Sequence, residues 1–264
     1  MSNPVKQVIP QAEARRILGS LQIGAPDEID LELISAMHDI LVREEPMTGA
    51  EARLIRTSGG GVITVRSDLS PPGRKRFAIA HELGHYFLHP QTRQLKMCTE
   101  KDMGVWKDSY MCEEAEANAF ASELLMPSLL FEPLLKGKDP GFDLIKELAG
   151  IFNTTLTAVS LQFIRETREP CLLVCSDGKT RGWCFSSRSF QGDFRVRSDT
   201  RIHHYTCACD LIRNHKSREH SDKVPAGAWL EGYSPDGREC VTEDSILLGS
   251  YGSVMSLIWV SSEI

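Results

Sequence analysis

The run FAIAHELGHYFLHP, residues 77–90, follows the prolines Pro71 and Pro72 and ends on Pro90. It limits what this chain can fold into more than any other stretch. Proline is accommodated at the start of a helix and stops one at its end, so the spacing predicts a helix from about Pro71 to Leu88, with Ser70 as its cap. Phe77, Ala80, Leu83, Gly84, Phe87 and Leu88 make most of its surface apolar, which assigns it to a core. A core helix that also carries His81, Glu82 and His85 must find partners for them. Gly84 costs such a helix about 1 kcal/mol relative to alanine, which predicts another element packed closely against it.

Residues i and i+4 stand above one another on one helix face, so the imidazoles of His81 and His85 can converge on one point. Zinc accepts imidazole nitrogen, and a catalytic site keeps three protein ligands and leaves the fourth position to water. Glu82, beside a ligand but pointing aside, is the candidate base for that water. The bland alternative is a core helix whose histidines are merely hydrogen-bonded, and a third ligand decides between the two. His89 is a poor third ligand, because the longer pattern H-x-x-G-x-x-H is absent and the helix ends there. In MCEEAEANAFASELLMP, residues 111–127, a second helix is expected from about Glu113 to Leu125, closed by Pro127. Glu114, Ala117, Asn118, Ala121 and Leu125 fall on one stripe of it. Its small residues permit close approach to the first helix, Glu114 is the candidate ligand, and Asn118 is placed to hold that carboxylate. Glu113 and Glu116 are rivals on neighbouring faces, and with Glu123 they read as solvated charges.

Around these helices the pattern is mixed. Ala14, Ile17 and Leu18, then Leu33, Ile34 and Met37, recur at helical spacing, and β-rich runs follow, broken by Pro46, Gly49 and Gly59 to Gly61. A small antiparallel sheet is expected there, with GVITVRSDL offering either an edge for an extended substrate or a plain sheet edge. LIKELAGIFNTTLTAVSLQFIRE has the outline of a helix-turn-helix, with Leu144, Ile145, Leu148, Phe152, Leu156 and Val159 as its core. Its would-be recognition face offers Thr154, Thr155, Thr157, Ser160 and Gln162 with only Arg165 basic, which argues against direct DNA binding and for packing. Beyond it lie strands and turns, with a hairpin at Asp177-Gly178 and a turn at Pro235-Asp236-Gly237. The fold class expected is α+β, divided as residues 1–138, 139–168 and 169–264.

Chain length allows a sizeable core without disulfides, and the formal net charge of −6 argues against nucleic acid as a standing partner of the whole chain. With no apolar leader and no run long enough to span a bilayer, the chain reads as cytoplasmic, and its scattered cysteines as reduced thiols. Within HHYTCACDLIRNH, a second metal site from His203, His204, Cys207, Cys209 and His215 lacks a zinc-finger spacing, and reduced strand cysteines are the simpler reading. Cys171 and Cys175 share one strand face and read as core. Between Arg195 and Lys223, basic residues and histidines form a candidate docking patch.

RKRFAIAHELGHYFLH, EEAEANAFASELLMP and GVITVRSDLS together resemble the ImmA/IrrE family of zinc metallopeptidases, of the gluzincin type. The likeness spans roughly residues 50 to 130, and the helical pair resembles the family's helix-turn-helix-like segment. It implies a zincin-like domain, the helical segment and a small strand-rich C-terminal domain that serves as sensor, docking surface or lid. It implies zinc, with manganese or cobalt as substitutes, held by His81, His85 and Glu114, and Glu82 as general base. The implied activity is site-specific cleavage of a protein, a helix-turn-helix transcriptional repressor, which releases a stress or mobile-element programme. An oxyanion-assisting role stays open among Tyr86, Tyr110 and His38. The alternative is a non-enzymatic regulator that keeps the fold and acts by binding a repressor or DNA.

Overall fold

The computed structural model describes residues 9–90, 96–98, 113–214, 217–249 and 252–260. The chain gathers into two compact units, one formed by Met1–Phe131 with Ala149–Ala158, the other by Glu132–Leu148 with Val159–Ile264.

In the first unit, α1 (Pro10–Ser20) starts at a proline and buries Ala14, Ile17 and Leu18, the stripe its spacing predicts. α2 (Leu31–Ala36) is capped by Asp30, which accepts from Leu33 N at 2.9 Å. It buries Leu31, Ile34 and Ser35, so Leu33 and Met37 face outward rather than joining Ile34. Strands β1 (Ile40–Glu45), β2 (Ala52–Thr57), β3 (Gly60–Arg66) and β4 (Lys96–Cys98) form a sheet of order β1-β3-β2-β4. β2 pairs antiparallel with β3 and β4, as expected, whereas β1 runs parallel to β3. The connection from β1 to β3 contains all of β2, which is long enough to bring the chain back in its starting direction. This corrects the reading of GVITVRSDL as an open edge: β3 has a neighbour on both sides, and its backbone groups are committed to β1 and β2.

α3 (Pro72–Leu88) has nearly the limits its prolines predict, but its cap position falls on Pro71, without a side-chain cap, and not on Ser70. Pro72 forces the residue before it out of the helical region, so Pro71 takes the extended backbone that a cap position requires. α4 (Glu113–Leu125) matches its expected limits. α5 (Ser128–Leu135) leads to α6 (Phe142–Ile151) and α7 (Leu156–Glu166), the expected helical pair, joined by a turn in which Asn153 has φ 46°. Ile145, Leu148, Phe152 and Val159 are buried there, and so are Thr154, Ser160 and Gln162 of the supposed recognition face.

In the second unit β5 (Cys171–Ser176), β6 (Arg181–Ser186), β7 (Glu219–Pro225), β8 (Cys240–Leu248) and β9 (Ser253–Trp259) form an antiparallel sheet of order β6-β5-β9-β8-β7. The hairpin at Asp177-Gly178 is present. Two short helices, α8 (Arg188–Asp193) and α9 (Cys207–Asn214), interrupt the strands. α9 corrects the reading of Cys207 and Cys209 as strand residues: Cys207, Ala208 and Leu211 are buried at helical spacing against Leu172, Val174 and Val241. Cys171, Cys175, Cys184, Cys207, Cys209 and Cys240 are free thiols. His203 and His204 stack on one another rather than meeting the cysteines, and His215 lies outside the described residues. Among the described residues, no helix is long and apolar enough to cross a membrane.

Candidate metal centre

The site is built where α3 and α4 meet. A Cβ on Gly84 would lie 2.9 Å from Cα and 3.0 Å from O of Ala117, so only glycine lets the two backbones approach this closely. Gly73, near the start of α3, does the same against the turn before α7, where a Cβ would lie 2.5 Å from the carbonyl carbon of Thr154. At the other end of α3, Arg56 of β2 donates to the carbonyls of His85 and Tyr86, each at 2.7 Å, and of His89 at 3.2 Å. The Tyr86 and His89 carbonyls are of the kind that a helix end leaves without helical partners, whereas the His85 carbonyl also accepts from His89 N at 3.1 Å. The same guanidinium sits 4.7 Å from the Tyr86 ring centre, so the C-terminal end of the motif helix is held from two directions.

Held this way, three side chains converge. His81 Nε2 and His85 Nε2 are 3.1 Å apart, and Glu114 Oε2 lies 3.1 Å from the first and 3.2 Å from the second. His81 and Glu82 are fully buried, His85 is 3% exposed, and Glu114 is half-buried. The outer nitrogens determine what the inner ones carry. His81 Nδ1 faces Asn118 Oδ1 at 2.9 Å, an oxygen that can only accept, so Nδ1 carries the proton and Nε2 presents a lone pair. His85 Nδ1 faces His89 Nδ1 at 3.1 Å, and His89 Nε2 faces Glu116 Oε2 at 2.8 Å. Because a carboxylate only accepts, His89 donates through Nε2, and in that tautomer its Nδ1 is left to accept the His85 Nδ1 proton. His85 Nε2 is thereby also a lone pair.

Three acceptors thus face one another at about hydrogen-bond distance with no proton of their own between them. Such a cluster calls for a cation or for added protons. Zinc bonds of about 2.0 Å set tetrahedral neighbours about 3.3 Å apart, close to the spacing found, so the donor set fits one small divalent ion. Among the described residues, His81, His85 and Glu114 are the group able to hold a metal.

The remaining candidates are placed differently from the sequence reading. Asn118 faces His81 rather than the Glu114 carboxylate it was expected to hold. Glu116, read as a solvated charge, and His89, read as a poor ligand, form the relay behind His85. The signal that could have found them is the i+4 spacing of His89 from His85, which continues the same helix face. Glu123 is buried rather than solvated: it accepts from Ser128 N at 3.2 Å and Oγ at 2.9 Å, at the N-terminus of α5, and pairs with Arg15 at 3.6 Å. The Tyr86 hydroxyl points to the His38 carbonyl at 3.5 Å, and the His38 ring packs edge-on against Phe87. Tyr110 lies outside the described residues.

The peptidase M78 family model, described as the IrrE N-terminal-like domain, matches residues 36–161. This stretch is similar to an IrrE N-terminal-like domain. It contains the sheet from β1 to β4, both site helices and the helical pair up to the middle of α7. No curated protein matches the chain significantly. Among solved structures, a Mycobacterium tuberculosis transcriptional regulator is similar, with a TM-score of 0.61 over 95% of this chain and 75% of that chain, at 17% identity. That likeness extends the shared fold past the IrrE N-terminal-like domain into the second unit.

Proposed function

We propose that this protein is a zinc-dependent endopeptidase of the cytoplasm. The class of substrate is a helix-turn-helix transcriptional repressor, cut at one site to release a stress or mobile-element response. The observation that carries the reading is the convergence of three lone-pair donors at 3.1 to 3.2 Å beside a fully buried glutamate. The repressor rests on the resemblance to the ImmA/IrrE peptidases.

In this reading His81, His85 and Glu114 hold the metal, His81 braced by Asn118 and His85 by His89 and Glu116. A bound zinc ion supplies positive charge that lowers the pKa of water toward about 7 and stabilises charge developing on a scissile carbonyl. Glu82 accepts the proton of the attacking water at a carboxylate oxygen and delivers it to the nitrogen of the departing amine. Its burial keeps bulk water from competing for that proton. Nitrogen and carboxylate donors also accept manganese or cobalt.

A second reading is a regulator that binds without cutting, and it draws on the structural relative named as a transcriptional regulator. The test takes a helix-turn-helix repressor as substrate, a gene for which beside this chain's own would support the reading, incubates it with zinc-loaded protein and reads the products by mass spectrometry. Two repressor fragments with wild type and none with Glu82→Gln support the peptidase. Relief of repression by both proteins, with the repressor left whole, replaces it with the binding regulator.

A further inference from the structure

The second unit contains a cleft of about 560 Å³ that the peptidase reading does not use. Three segments build it: the β5–β6 turn, the loop from Arg197 to His204, and α9. Lys179, Arg197, Arg201 and Arg213 line it against a single carboxylate, Asp199, which leaves four positive charges against one negative in a chain whose net charge is −6.

That carboxylate is already committed. Asp199 accepts from Arg197 Nη2 at 2.8 Å and from the Arg201 backbone N–H at 2.6 Å, while Arg197 Nη1 donates to the Gly227 carbonyl at 2.9 Å. Arg197 and Asp199 therefore brace the loop. Among the described residues, no ion pair includes Lys179, Arg201 or Arg213. Their placement is fixed by backbone contacts: Ile202 N donates to Lys179 O at 2.8 Å, and Arg181 N to Thr200 O at 2.7 Å. Gly178, at φ 76°, brings the turn onto α9 so closely that a Cβ would meet Ile212 Cγ1 at 2.2 Å. Cations held together without an anion between them repel one another, so the arrangement costs stability unless a ligand supplies the negative charge.

The cleft also has an apolar and aromatic side. Ile202 and Ile212 line it, and the rings of His203 and His204 stack at 4.4 Å, with Tyr205 4.1 Å from His204. Burial, and then the neighbouring His204 and Arg197, pull His203 below its ordinary pKa against the opposing Asp236 and Asp199. The volume lies within the roughly 300–1,000 Å³ of small-molecule sites.

We propose that this cleft binds a phosphate-bearing small molecule with a planar ring, that is, a nucleotide. Lys179, Arg201 and Arg213 take the phosphates, where charge-assisted bonds are strongest. The His203 and His204 rings, backed by Tyr205, receive the base. This inference is independent of the peptidase reading and of the metal.

Calorimetric titration of the full chain with ADP, inorganic pyrophosphate and adenosine tests it. Saturable binding of ADP, weaker binding of pyrophosphate and none of adenosine are expected. Arg201→Ala and Arg213→Ala each lose about 10- to 100-fold in ADP affinity, the loss for a hydrogen bond to a charged group. Both side chains are exposed, so the melting temperature stays near wild type. Arg43→Ala, a partly exposed cation of the first unit, leaves ADP affinity unchanged. The proposal is overturned by absence of ADP and pyrophosphate binding, or by ADP affinity that both cleft variants leave intact. It is equally overturned if a single-stranded oligonucleotide binds far more tightly than ADP and loses affinity in the same variants, since the site would then serve a polymer.

Discussion

Each unit buries a carboxylate among polar partners, and the two burials end in opposite ways. Glu243, fully buried on β8, accepts from Trp229 Nε1 at 2.8 Å, from Ala208 N at 2.9 Å and from Ser245 Oγ at 2.8 Å. Donors there match an acceptor, and the cluster ties the start of α9 to the sheet. Around Glu114 the balance is reversed, because two imidazole lone pairs meet a carboxylate oxygen while the ring protons are committed to Asn118 and His89. Burial of polar groups is common to both clusters. An excess of acceptors distinguishes the cluster proposed to hold an ion from the one that holds a fold together.

Substitutions can break that contrast from either side. The largest effect is expected at Glu82: Glu82→Gln keeps the side chain's size and removes the base, so cleavage falls by about 10²- to 10⁴-fold. Chemical denaturation of that variant should track wild type, because Glu82 belongs to neither the ligand set nor its supports. Glu243→Ala should do the reverse. It leaves Trp229, Ala208 and Ser245 donors facing an empty space, which costs about 1–3 kcal/mol for each donor left unsatisfied, while zinc content is unchanged. Urea midpoints of the two variants, set beside their cleavage rates, would dissolve the contrast if both measurements moved together.

Glu243 also carries a pH signature. Burial raises its pKa above the ordinary 4.5 despite the bonds from Trp229, Ala208, Ser245 and Cys207 N. In the unfolded chain the group ionises first, so the native state holds the extra proton between 4.5 and the raised value, and stability falls as pH rises through that window. Glu243→Gln should flatten this slope in pH-dependent unfolding, and an unchanged slope would assign it to other groups.

Smaller effects sharpen the account of the metal side. Gly84→Ala gains about 1 kcal/mol of helix propensity but pushes a methyl into the Ala117 backbone, an overpacking cost of about 1–3 kcal/mol. A lowered melting temperature together with weaker zinc binding is expected, and a more stable variant with full affinity would show that the helices need no such approach. Glu116→Gln should be the mildest, weakening zinc by about tenfold through the loosened His89–His85 relay. Competition with a chelating dye measures it.

Much of the site was legible because its signals are local. Prolines bound α3, the i,i+4 histidines share a face whatever surrounds them, and Gly84 announced a close neighbour that is Ala117. The stripe on α4 set Glu114 on the face that meets His81 and His85 for the same reason. Features that depend on pairing over distance were not legible. Whether β1 runs with or against β3 is decided by how the β2–β3 hairpin folds back, which no residue of β1 encodes. The His89–Glu116 bond depends on how the end of one helix meets the start of another. α9 was missed because Cys207 and Cys209 suggested strands, although Cys207, Ala208 and Leu211 already followed a helical period.

The central claim is that three lone-pair donors on α3 and α4 await one cation, and metal content tests it most directly. Elemental analysis of protein loaded with zinc and freed of excess should give about one equivalent per chain for wild type and for Glu82→Gln. His85→Ala, which keeps two of the three donors, should fall well below one equivalent and lose the thermal stabilisation that zinc gives wild type. A full equivalent retained by His85→Ala, or no metal bound by wild type, would contradict the account.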